Sequence, residues 1–281
     1  MGRDAYDASA KARELFARAS EIVDCDLVKA CFEGPAELLD TTQMSQPTIF
    51  LASLAALEAL RETKPEVVEN CAATTGLSLG EYTALVFAGV MSFEDGLRLV
   101  QLRGRAMQEA SDARSSGMVS VIGLEKEVVS ELCEKASDAG FLRIANYLCP
   151  KNYVASGDVA ACEKLVDLAA AAGAIKLTPL AVAGAFHTPI MDSAVETMRP
   201  IIESMTFSAP KVPYVSGVDA QFHSDPEEIK SILIRQISAP VLWEDAMRKL
   251  LAEGVDSICE VGPGRVLRGL MKRIDRKIAM N

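Results

Sequence analysis

The sequence is short of positive charge, and this limits what the protein can bind. Among its 281 residues, 29 are lysine or arginine and 39 are aspartate or glutamate, so the formal net charge is −10. A nucleic-acid-binding protein needs a basic face toward the phosphates. The composition therefore argues against that class of protein.

Long apolar runs and paired cysteine motifs are also missing. No stretch approaches the roughly 18 uninterrupted apolar residues of a transmembrane helix. The seven cysteines include no Cys-x-x-Cys motif and no cysteine–histidine spacing typical of a metal site. We therefore expect free thiols in a reducing compartment, without a disulfide framework or a zinc site. These cysteines are Cys25, Cys31, Cys71, Cys133, Cys149, Cys162 and Cys259.

The beginning of the chain lacks a targeting signal. Residues 1–22 have an amphipathic helical pattern with several acidic residues and no apolar core of a signal peptide. A transit peptide would be poor in acidic residues. We therefore expect that a transit peptide either never existed or has been removed, and we favour removal.

The order of the predicted elements indicates an α/β fold with a discontinuous large domain. Residues 6–110 are mostly helical, with one strand at 69–76. The middle of the chain follows the order β-α-β-β-α-β, which is the ferredoxin-like arrangement. We predict an α/β-hydrolase-like large domain, residues 1–116 and 184–281, into which a ferredoxin-like subdomain, residues 117–183, is inserted.

The predicted elements beyond the first 110 residues fall into two groups. In the subdomain, strands are predicted at 118–124, 141–148, 152–158 and 174–182, and helices at 125–138 and 159–173. In the returning part of the large domain, strands are predicted at 212–218 and 256–262, and helices at about 226–237, 242–253 and 264–275.

The motif Gly76-Leu77-Ser78-Leu79-Gly80 lies between the first predicted strand and a helix. A Gly-x-Ser-x-Gly motif in this context is typical of a nucleophile elbow, a tight turn that presents the serine hydroxyl to a cleft. The helix that follows points its N-terminus at the site, so the Leu79 amide is a natural donor to an oxyanion. The alternative is a chance match in a glycine-rich turn, but the strand–turn–helix context favours catalysis.

A serine nucleophile needs a base, and the chain has only two histidines. His187, in GAFHTPIM, lies where the chain returns to the large domain, whereas His223, in AQFHSDPEE, lies in a polar turn and is interpreted as a surface residue. We therefore favour His187. Asp158 and Glu163 lie between Ser78 and His187 but belong to the inserted subdomain, so we expect a carbonyl group to orient the imidazole.

Arg103 lies on an apolar stripe of its predicted helix. Gly96, Val100, Arg103 and Met107 follow one another at spacings of four, three and four residues, which places them on one inward face. An arginine there either extends past the apolar edge to water or uses its planar guanidinium to bind a carboxylate. The spacing alone leaves both interpretations open.

Four separated motifs resemble one known family. They are GLSLGEYTALVFAGVMSFEDGLRLVQLRG, GAFHTPIM, RQISAPVLWED and EVGPGRVLRGL. Together, in this order, they resemble the malonyl-CoA:acyl carrier protein transacylases of type II fatty acid synthesis. The resemblance runs from about residue 13 to the C-terminus, and this family also carries an inserted ferredoxin-like subdomain.

The resemblance implies a role for each matching residue. Ser78 would be the acylated nucleophile, His187 its base and Arg103 the ligand of the malonyl carboxylate, while the main-chain carbonyl of Gln236 would orient the histidine. The remaining substrate-binding residues would be Leu77, Leu79, Met107, Asn146 and Phe186, of which Phe186 resembles the malonyl-selecting form.

The sequence departs from the family at two places. The family usually has histidine where this chain has Leu77, and leucine there resembles plant and algal plastid enzymes. The localisation expected is therefore the plastid stroma, with the mitochondrial matrix or the bacterial cytoplasm as alternatives. The family also opens with a strand and a Gly-Gln-Gly-x-Gln element that contributes an oxyanion donor. No residue here matches that element, so we expect a truncated chain with reduced activity.

The activity implied is transfer of malonyl from malonyl-CoA to the pantetheine thiol of acyl carrier protein through a malonyl-serine, without a metal or redox cofactor. The alternatives are a serine hydrolase or thioesterase and a non-catalytic carrier-protein-binding module. A monomer is expected. An acidic carrier protein would need a local basic surface, which Arg265, Arg268, Lys272 and Arg273 could supply. The alternative for these cations is that they only complement a helix C-terminus.

Overall fold

The computed structural model describes residues 1–23, 25–39 and 41–280. Its α-helices are α1 (Arg3–Ala8), α2 (Ala10–Val23), α3 (Leu27–Glu33), α4 (Ala36–Leu39), α5 (Thr42–Thr63), α6 (Pro65–Glu69), α7 (Gly80–Phe87), α8 (Phe93–Asp112), α9 (Lys126–Ala136), α10 (Val159–Ala171), α11 (Asp192–Ser204), α12 (Pro226–Gln236), α13 (Trp243–Ala252) and α14 (Val266–Ile274). Its strands are β1 (Ser116–Ile122), β2 (Leu142–Cys149), β3 (Asn152–Asp158), β4 (Lys176–Pro179), β5 (Tyr214–Val215), β6 (Phe222–His223), β7 (Ser257–Ile258) and β8 (Ala279–Met280).

The helices α5 and α8 pack against each other in the N-terminal part of the chain. Side-chain oxygens cap both helices: Thr41 Oγ1 accepts from the Met44 amide at 3.3 Å, and Ser92 Oγ accepts from the Asp95 amide at 3.1 Å. A Cβ atom on Gly104 would lie 2.7 Å from the Thr42 carbonyl oxygen, so only glycine permits this approach. The close packing brings the middle of α8 next to the first turns of α5.

The inserted β-α-β-β-α-β unit has the predicted topology. Its four strands form one antiparallel sheet in the order β2-β3-β1-β4, and α9 and α10 pack together on it. The unit has its own apolar core, which includes the fully buried Val121, Ala155 and Leu165. The order of elements is therefore confirmed, while the exact domain boundaries, 1–116 with 184–281 and 117–183, stay a prediction.

The strands predicted for the large domain are shorter than expected. Of residues 69–76, Thr74 alone forms a bridge, with Tyr214 in parallel, and β5 and β7 have two residues each. β5 pairs with β6 and β7 pairs with β8. The segments around Thr74 and β7 face a cavity of about 350 Å³ on their other side, where no strand pairs with them among the described residues. Pairing decides strand length, so the longer predictions were wrong.

The three helices predicted after β6 are confirmed within one or two residues as α12, α13 and α14. All seven cysteines are free thiols, as expected. Among the described residues, no helix is both long and apolar enough to cross a membrane.

Candidate active site

The Gly-x-Ser-x-Gly motif forms a tight turn between the Thr74 bridge and α7. Ser78 has a φ of 51°, in the left-handed region that side chains other than glycine rarely adopt. A Cβ atom on Gly76 would lie 1.9 Å from the Gly80 carbonyl carbon, so the turn requires glycine at that position. The chain thus presents the Ser78 hydroxyl at the beginning of α7, as a nucleophile elbow does.

The imidazole of His187 lies directly against Ser78. Its Nε2 is 2.8 Å from Ser78 Oγ, and its Nδ1 is 2.9 Å from the Gln236 carbonyl oxygen. A carbonyl oxygen can only accept, so Nδ1 carries the proton and Nε2 presents its lone pair to the hydroxyl. This is the arrangement of a nucleophile with its general base, with a main-chain carbonyl as the orienting group.

Backbone contacts hold His187 in a constrained position. Its φ is 61°, so it too lies in the left-handed region. Arg143 on β2 donates from Nη2 to the His187 carbonyl oxygen at 2.8 Å, and Ser156 on β3 donates to the preceding carbonyl of Phe186 at 2.9 Å. The inserted subdomain thereby fixes the segment that carries the base.

Arg103 is buried, with 2% of its surface exposed, and does not extend to water. Its Nη1 donates to Gln46 Oε1 at 2.8 Å, and its Nη2 donates to Ser78 Oγ at 3.0 Å and to Gln236 Oε1 at 3.1 Å. The Nε is buried and has no hydrogen-bond partner among the described residues. The interpretation in which the side chain reaches water is wrong, because the Gly104 contact draws this part of α8 into the core.

The side chain of Gln236, at the end of α12, connects the parts of the site. Its Nε2 donates to the Ser78 carbonyl oxygen at 2.7 Å and to Glu81 Oε1 at 2.8 Å, while its Oε1 accepts from Arg103. Since its own carbonyl accepts from His187, this one residue contacts the nucleophile, the base and the cation.

Glu81 on α7 is a fully buried carboxylate behind the serine. Its Oε2 accepts from the Tyr214 hydroxyl and from the Gly217 amide, the latter at 3.2 Å, and its Oε1 accepts from Gln236. Burial raises the pKa of Glu81, against these hydrogen bonds and the positive Arg103, which lower it. No carboxylate oxygen lies within 4.0 Å of the Arg103 guanidinium in the described part of the chain, so Glu81 is linked to Arg103 through Gln236.

Burial also sets the protonation of the base. It lowers the pKa of His187 from 6.5 to about 4, and the neighbouring charge of Arg103 adds to this, against the hydrogen bond to Gln236. Burial likewise lowers the pKa of Arg103. The site therefore combines a neutral imidazole with a buried guanidinium beside one hydroxyl.

The second histidine lies elsewhere and has different partners. His223 on β6 has Nε2 at 3.0 Å from Asp219 Oδ1 and Nδ1 at 3.1 Å from Glu228 Oε2. Burial lowers the pKa of His223, but the two carboxylates outweigh it and leave the pKa raised. His223 is therefore a structural ion-pair partner in this fold.

Three of the remaining candidate residues, Leu77, Leu79 and Met107, pack around the site within the large domain. Leu77 packs against the cluster of Val241 and Trp243. Leu79 stands at the N-cap position of α7 and packs against the larger core that contains Leu85. Met107 is buried, and its Sδ accepts from Gln46 Nε2 at 3.6 Å, so it contacts the residue that holds Arg103.

Phe186 and Asn146 belong to the side formed by the subdomain. Phe186 is partly buried against Met118, Ala145 and Val154. Asn146 lies on β2 in a bridge to Val241, and its Oδ1 is buried without a hydrogen-bond partner among the described residues.

The sequence did not identify Gln46, Glu81 and Arg143 in the site, nor Tyr214, whose hydroxyl supports Glu81 from outside the site. Glu81 does carry a signal, since it is an acidic residue on a helix face with Ala84 and Leu85. Gln46 carries a weaker one, because Thr42 and Ser53 share its buried face. Arg143 and Tyr214 carry none that distinguishes them from ordinary strand residues.

The described residues include no group of three or more histidine, cysteine, aspartate or glutamate side chains that could hold a metal ion. A cavity of about 350 Å³ lies behind the elbow; Gly76 and Gly80 line it, whereas Ser78 and His187 do not. The chemistry available at the site is nucleophilic attack by a serine hydroxyl with a neutral histidine as base, next to a buried cation.

This geometry is the one that a serine-dependent acyl-transfer site requires, and it lies on an α/β fold with an inserted subdomain. Residues 1–276 match the family model described as "Acyl transferase domain", and the chain belongs to this acyltransferase family.

Two relatives of known name show which acyltransferases the chain is similar to. The chain is 36% identical over 281 residues to the malonyl CoA-acyl carrier protein transacylase of Bacillus subtilis (strain 168), covering 99% of this chain and 87% of that protein. It is 37% identical to the mitochondrial malonyl-CoA-acyl carrier protein transacylase of Mus musculus, covering 95% and 73%. Bacterial and mitochondrial proteins are thus both among its relatives.

Solved structures agree with the fold. The acyl-carrier-protein S-malonyltransferase of Burkholderia pseudomallei 1710b superposes with a TM-score of 0.93 at 35% identity, covering 99% of this chain and 89% of that one. A chain from the structure described as a type II PKS acyl-carrier protein in complex with its malonyl-transacylase superposes with a TM-score of 0.94 at 34% identity. The match covers 100% of this chain and 90% of that one.

Proposed function

We propose that this protein transfers the malonyl group of malonyl-CoA to the pantetheine thiol of acyl carrier protein, through a malonyl ester of Ser78, in fatty acid synthesis. The observation that carries the proposal is the buried guanidinium of Arg103, 3.0 Å from the nucleophile. A buried cation at that distance suits an acyl group that ends in a carboxylate. The family and the names of the relatives support the same substrate.

Acylation begins with the Ser78–His187 pair. Ser78 Oγ accepts from Arg103, so its own hydrogen points to the free lone pair of His187 Nε2. As Oγ attacks the thioester carbonyl, this hydrogen moves to Nε2. The negative charge that develops on the carbonyl oxygen is stabilised by the Leu79 amide at the beginning of α7. When the C–S bond breaks, the imidazolium returns the proton to the sulfur of coenzyme A.

Arg103 acts on the other end of the acyl group. Once Ser78 is acylated, its Oγ is an ester oxygen and a weaker acceptor, so the Nη2 hydrogen that it held becomes free for the malonyl carboxylate. A charge-assisted pair of this kind contributes roughly 1.5–3 kcal/mol. Acetyl has no carboxylate and would leave the buried cation without that partner.

The second half of the reaction repeats the first with another thiol. His187 takes the proton of the carrier protein's pantetheine thiol, the thiolate attacks the malonyl-serine, and the proton returns to Ser78 as the ester bond breaks. In this scheme no metal or redox cofactor takes part. A hydrolase of neutral acyl chains would gain nothing from Arg103, and no observation favours the hydrolase or the non-catalytic module.

Further residues are proposed to shape the acyl and pantetheine site. Phe186 would limit the size of the group next to the malonyl methylene, and Asn146, with its unpaired buried Oδ1, would accept a hydrogen bond from the pantetheine arm. Met107 would act through Gln46 on Arg103, and Leu77 would line the turn.

The carrier protein is proposed to dock on α14. Arg265, Lys272 and Arg273 are exposed there and Arg268 is half-buried, and none of the four has a carboxylate within 4.0 Å among the described residues. Glu260 fixes the beginning of this helix by accepting from the amides of residues 267 and 268 at 2.9 and 2.8 Å. This surface would suit an acidic partner.

The docking proposal is tested by charge reversal. Lys272→Glu with Arg273→Glu should raise the KM for carrier protein and leave acyl-enzyme formation from malonyl-CoA unchanged. The matched control is Lys11→Glu with Lys29→Glu, which reverses two exposed cations on the N-terminal helices. Equal effects of the two pairs would contradict a local docking surface.

The localisation proposed is the plastid stroma, which Leu77 favours through its resemblance to plastid enzymes. The mitochondrial matrix and the bacterial cytoplasm are the alternatives, and relatives from both kinds of source are known. The oligomeric state proposed is a monomer.

The central test compares malonyl-CoA with acetyl-CoA as acyl donors. Arg103→Ala should lower the ratio of their kcat/KM values by at least about tenfold, because it removes the charge-assisted pair from malonyl alone. Arg103→Lys should restore the ratio only in part, because an ammonium lacks the planar fork. An unchanged ratio in Arg103→Ala would contradict the proposed function.

A further inference from the structure

We infer that Glu81 is a positioning residue for malonyl selection, acting through the amide of Gln236 on Arg103. The inference rests on the proposed function, because it assigns Glu81 to the orientation of the proposed carboxylate ligand. Glu81 touches neither Ser78 Oγ nor the guanidinium. Its effect passes through the hydrogen bonds that link three buried side chains.

The orientation of the Gln236 amide is the first step of the argument. An amide group has an NH₂ end that donates and an oxygen that accepts, so its two ends are not interchangeable. Gln236 Oε1 accepts from Arg103 Nη2 at 3.1 Å, which requires the oxygen to face the guanidinium. With the amide reversed, an NH₂ group would face Arg103, and two donors would oppose each other.

Glu81 is what favours the observed orientation. Gln236 Nε2 donates to Glu81 Oε1 at 2.8 Å, while the Gly217 amide and the Tyr214 hydroxyl donate to Oε2. Since these three partners are all donors, they fit an ionised carboxylate, whose oxygen offers no hydrogen that would satisfy a reversed amide. The Ser78 carbonyl oxygen, which accepts from the same Nε2 at 2.7 Å, adds to this preference and is itself held in place by it.

Glu81 is fixed on its other side. Oε2 accepts from the Gly217 amide at 3.2 Å and from the Tyr214 hydroxyl, so the carboxylate cannot turn without losing them. A Cβ atom on Gly217 would lie 2.9 Å from Glu81 Oε1, so the chain also passes close beside the group. The backbone amide of Gly217 therefore fixes Glu81, and Glu81 in turn fixes which end of the Gln236 amide faces Arg103.

Replacing Glu81 by glutamine separates orientation from charge. If the new amide gives its NH₂ group to Gln236, the Gln236 amide reverses and opposes Arg103. If it gives its oxygen, its NH₂ group opposes the Gly217 amide. The loss of the negative charge alone would strengthen the attraction of Arg103 for malonyl. The two effects have opposite signs, so a lowered preference for malonyl identifies misorientation.

The experiment measures the malonyl-CoA to acetyl-CoA ratio of kcat/KM in wild type, Glu81→Gln, Tyr214→Phe and Arg103→Ala. Tyr214→Phe is the matched control, because it removes one hydrogen bond from Oε2 while the Gly217 amide still holds that oxygen and the link from Oε1 to Gln236 stays. We expect Glu81→Gln to lower the ratio about tenfold, the loss of one charge-assisted hydrogen bond. Tyr214→Phe should lower the melting temperature and keep the ratio within about threefold of wild type.

A second variant and a second readout keep the inference testable if Glu81→Gln does not fold. Glu81→Asp keeps the charge but withdraws it by one methylene, and it should lower the ratio in the same direction. The rate at which a neutral fluorophosphonate labels Ser78 needs no carboxylate, and it should fall in the Glu81 variants because Gln236 also holds the Ser78 carbonyl. Circular dichroism establishes folding of each variant.

The outcomes distinguish the inference from the proposed function. If Arg103→Ala lowers the ratio and folded Glu81 variants match wild type, or raise it, the inference is overturned and the proposed function stands. Equal losses in Glu81→Gln and Tyr214→Phe would reduce Glu81 to a structural role and also overturn it. If Arg103→Ala leaves the ratio unchanged, the proposed function is wrong. The rate of Ser78 labelling then decides on Glu81: if the Glu81 variants are labelled as fast as the wild type, the inference is overturned as well.

Discussion

We expect the imidazole of His187 to stay neutral well below physiological pH. The residue is buried, and burial together with the positive charge of Arg103 lowers its pKa from 6.5 to about 4. At about pH 5.5 a group with that pKa is only about 3% protonated, whereas an ordinary histidine would be about 90% protonated. In the proposed mechanism, His187 is therefore ready to accept the Ser78 proton over this whole range of pH.

The measurement is a titration of the imidazole Cε1 protons by NMR from about pH 8 to 5.5. The chain has only two histidines, so a His223→Gln variant leaves one resonance and assigns both. The His187 signal should not move over this range. The His223 signal of the wild type should titrate above 6.5, because Asp219 and Glu228 outweigh its burial and raise its pKa.

Arg103→Ala provides the corresponding perturbation. It removes a positive charge next to the imidazole, so the pKa of His187 should rise, while burial, the larger cause, keeps it below 6.5. A His187 signal in the wild type that titrates near 6.5 would refute the reasoning, since it would mean that the imidazole is solvated. The rate of Ser78 labelling by a neutral fluorophosphonate should follow the same protonation curve.

Three further outcomes follow from the geometry. Gly76→Ala should destabilise the fold by about 3 kcal/mol or more, because its Cβ would meet the backbone at 1.9 Å, whereas Gly80→Ala, with nothing within 4 Å, should change the stability by less than about 1 kcal/mol in urea denaturation. Ser78→Gly and Ser78→Ala should both lose the malonyl adduct in mass spectrometry. The glycine variant should be more stable than the alanine variant by about 1 kcal/mol, because glycine adopts the left-handed φ of this position without strain. Equal stabilities would mean that the turn is unstrained. In the His223→Gln background, the free energy of unfolding should fall by about 1 kcal/mol from about pH 6.5 to 5.5. The reason is that His187 binds a proton in this range when unfolded but not when folded, where its pKa is about 4. A free energy of unfolding that does not change with pH would contradict the lowered pKa.

Local patterns account for the parts that the sequence predicted well. The inserted unit alternates strands and helices whose apolar period is visible within each segment, and β3 spans the predicted residues 152–158. The elbow, Ser78, is likewise a local motif, and His187 follows from the scarcity of histidine.

Contacts between distant segments account for what the sequence did not predict. Gln46 meets Arg103 across 57 residues and Gln236 meets Glu81 across 155, and both depend on how closely helices pack. The prediction of strand lengths in the large domain was wrong for the same reason. The residues beside Thr74 and β7 face a cavity, and no strand of the described residues pairs with them there. A glutamate on an apolar helix face, such as Glu81, signals a buried hydrogen-bond network without identifying its other members.

The group that orients His187 belongs to the main chain, and this makes it invisible to side-chain mutagenesis. Every one of the other nineteen residues at position 236 would still carry a carbonyl oxygen, so a saturation library there samples the amide link to Arg103 and Glu81 and never deletes the acceptor of Nδ1. If the proposed mechanism is correct, a mutational scan would therefore identify Ser78 and His187 and would miss the carbonyl group that orients the histidine. The third member would become measurable only by chemical synthesis or semisynthesis, with an ester replacing the peptide bond between residues 236 and 237, since an ester carbonyl is a weaker acceptor than an amide carbonyl.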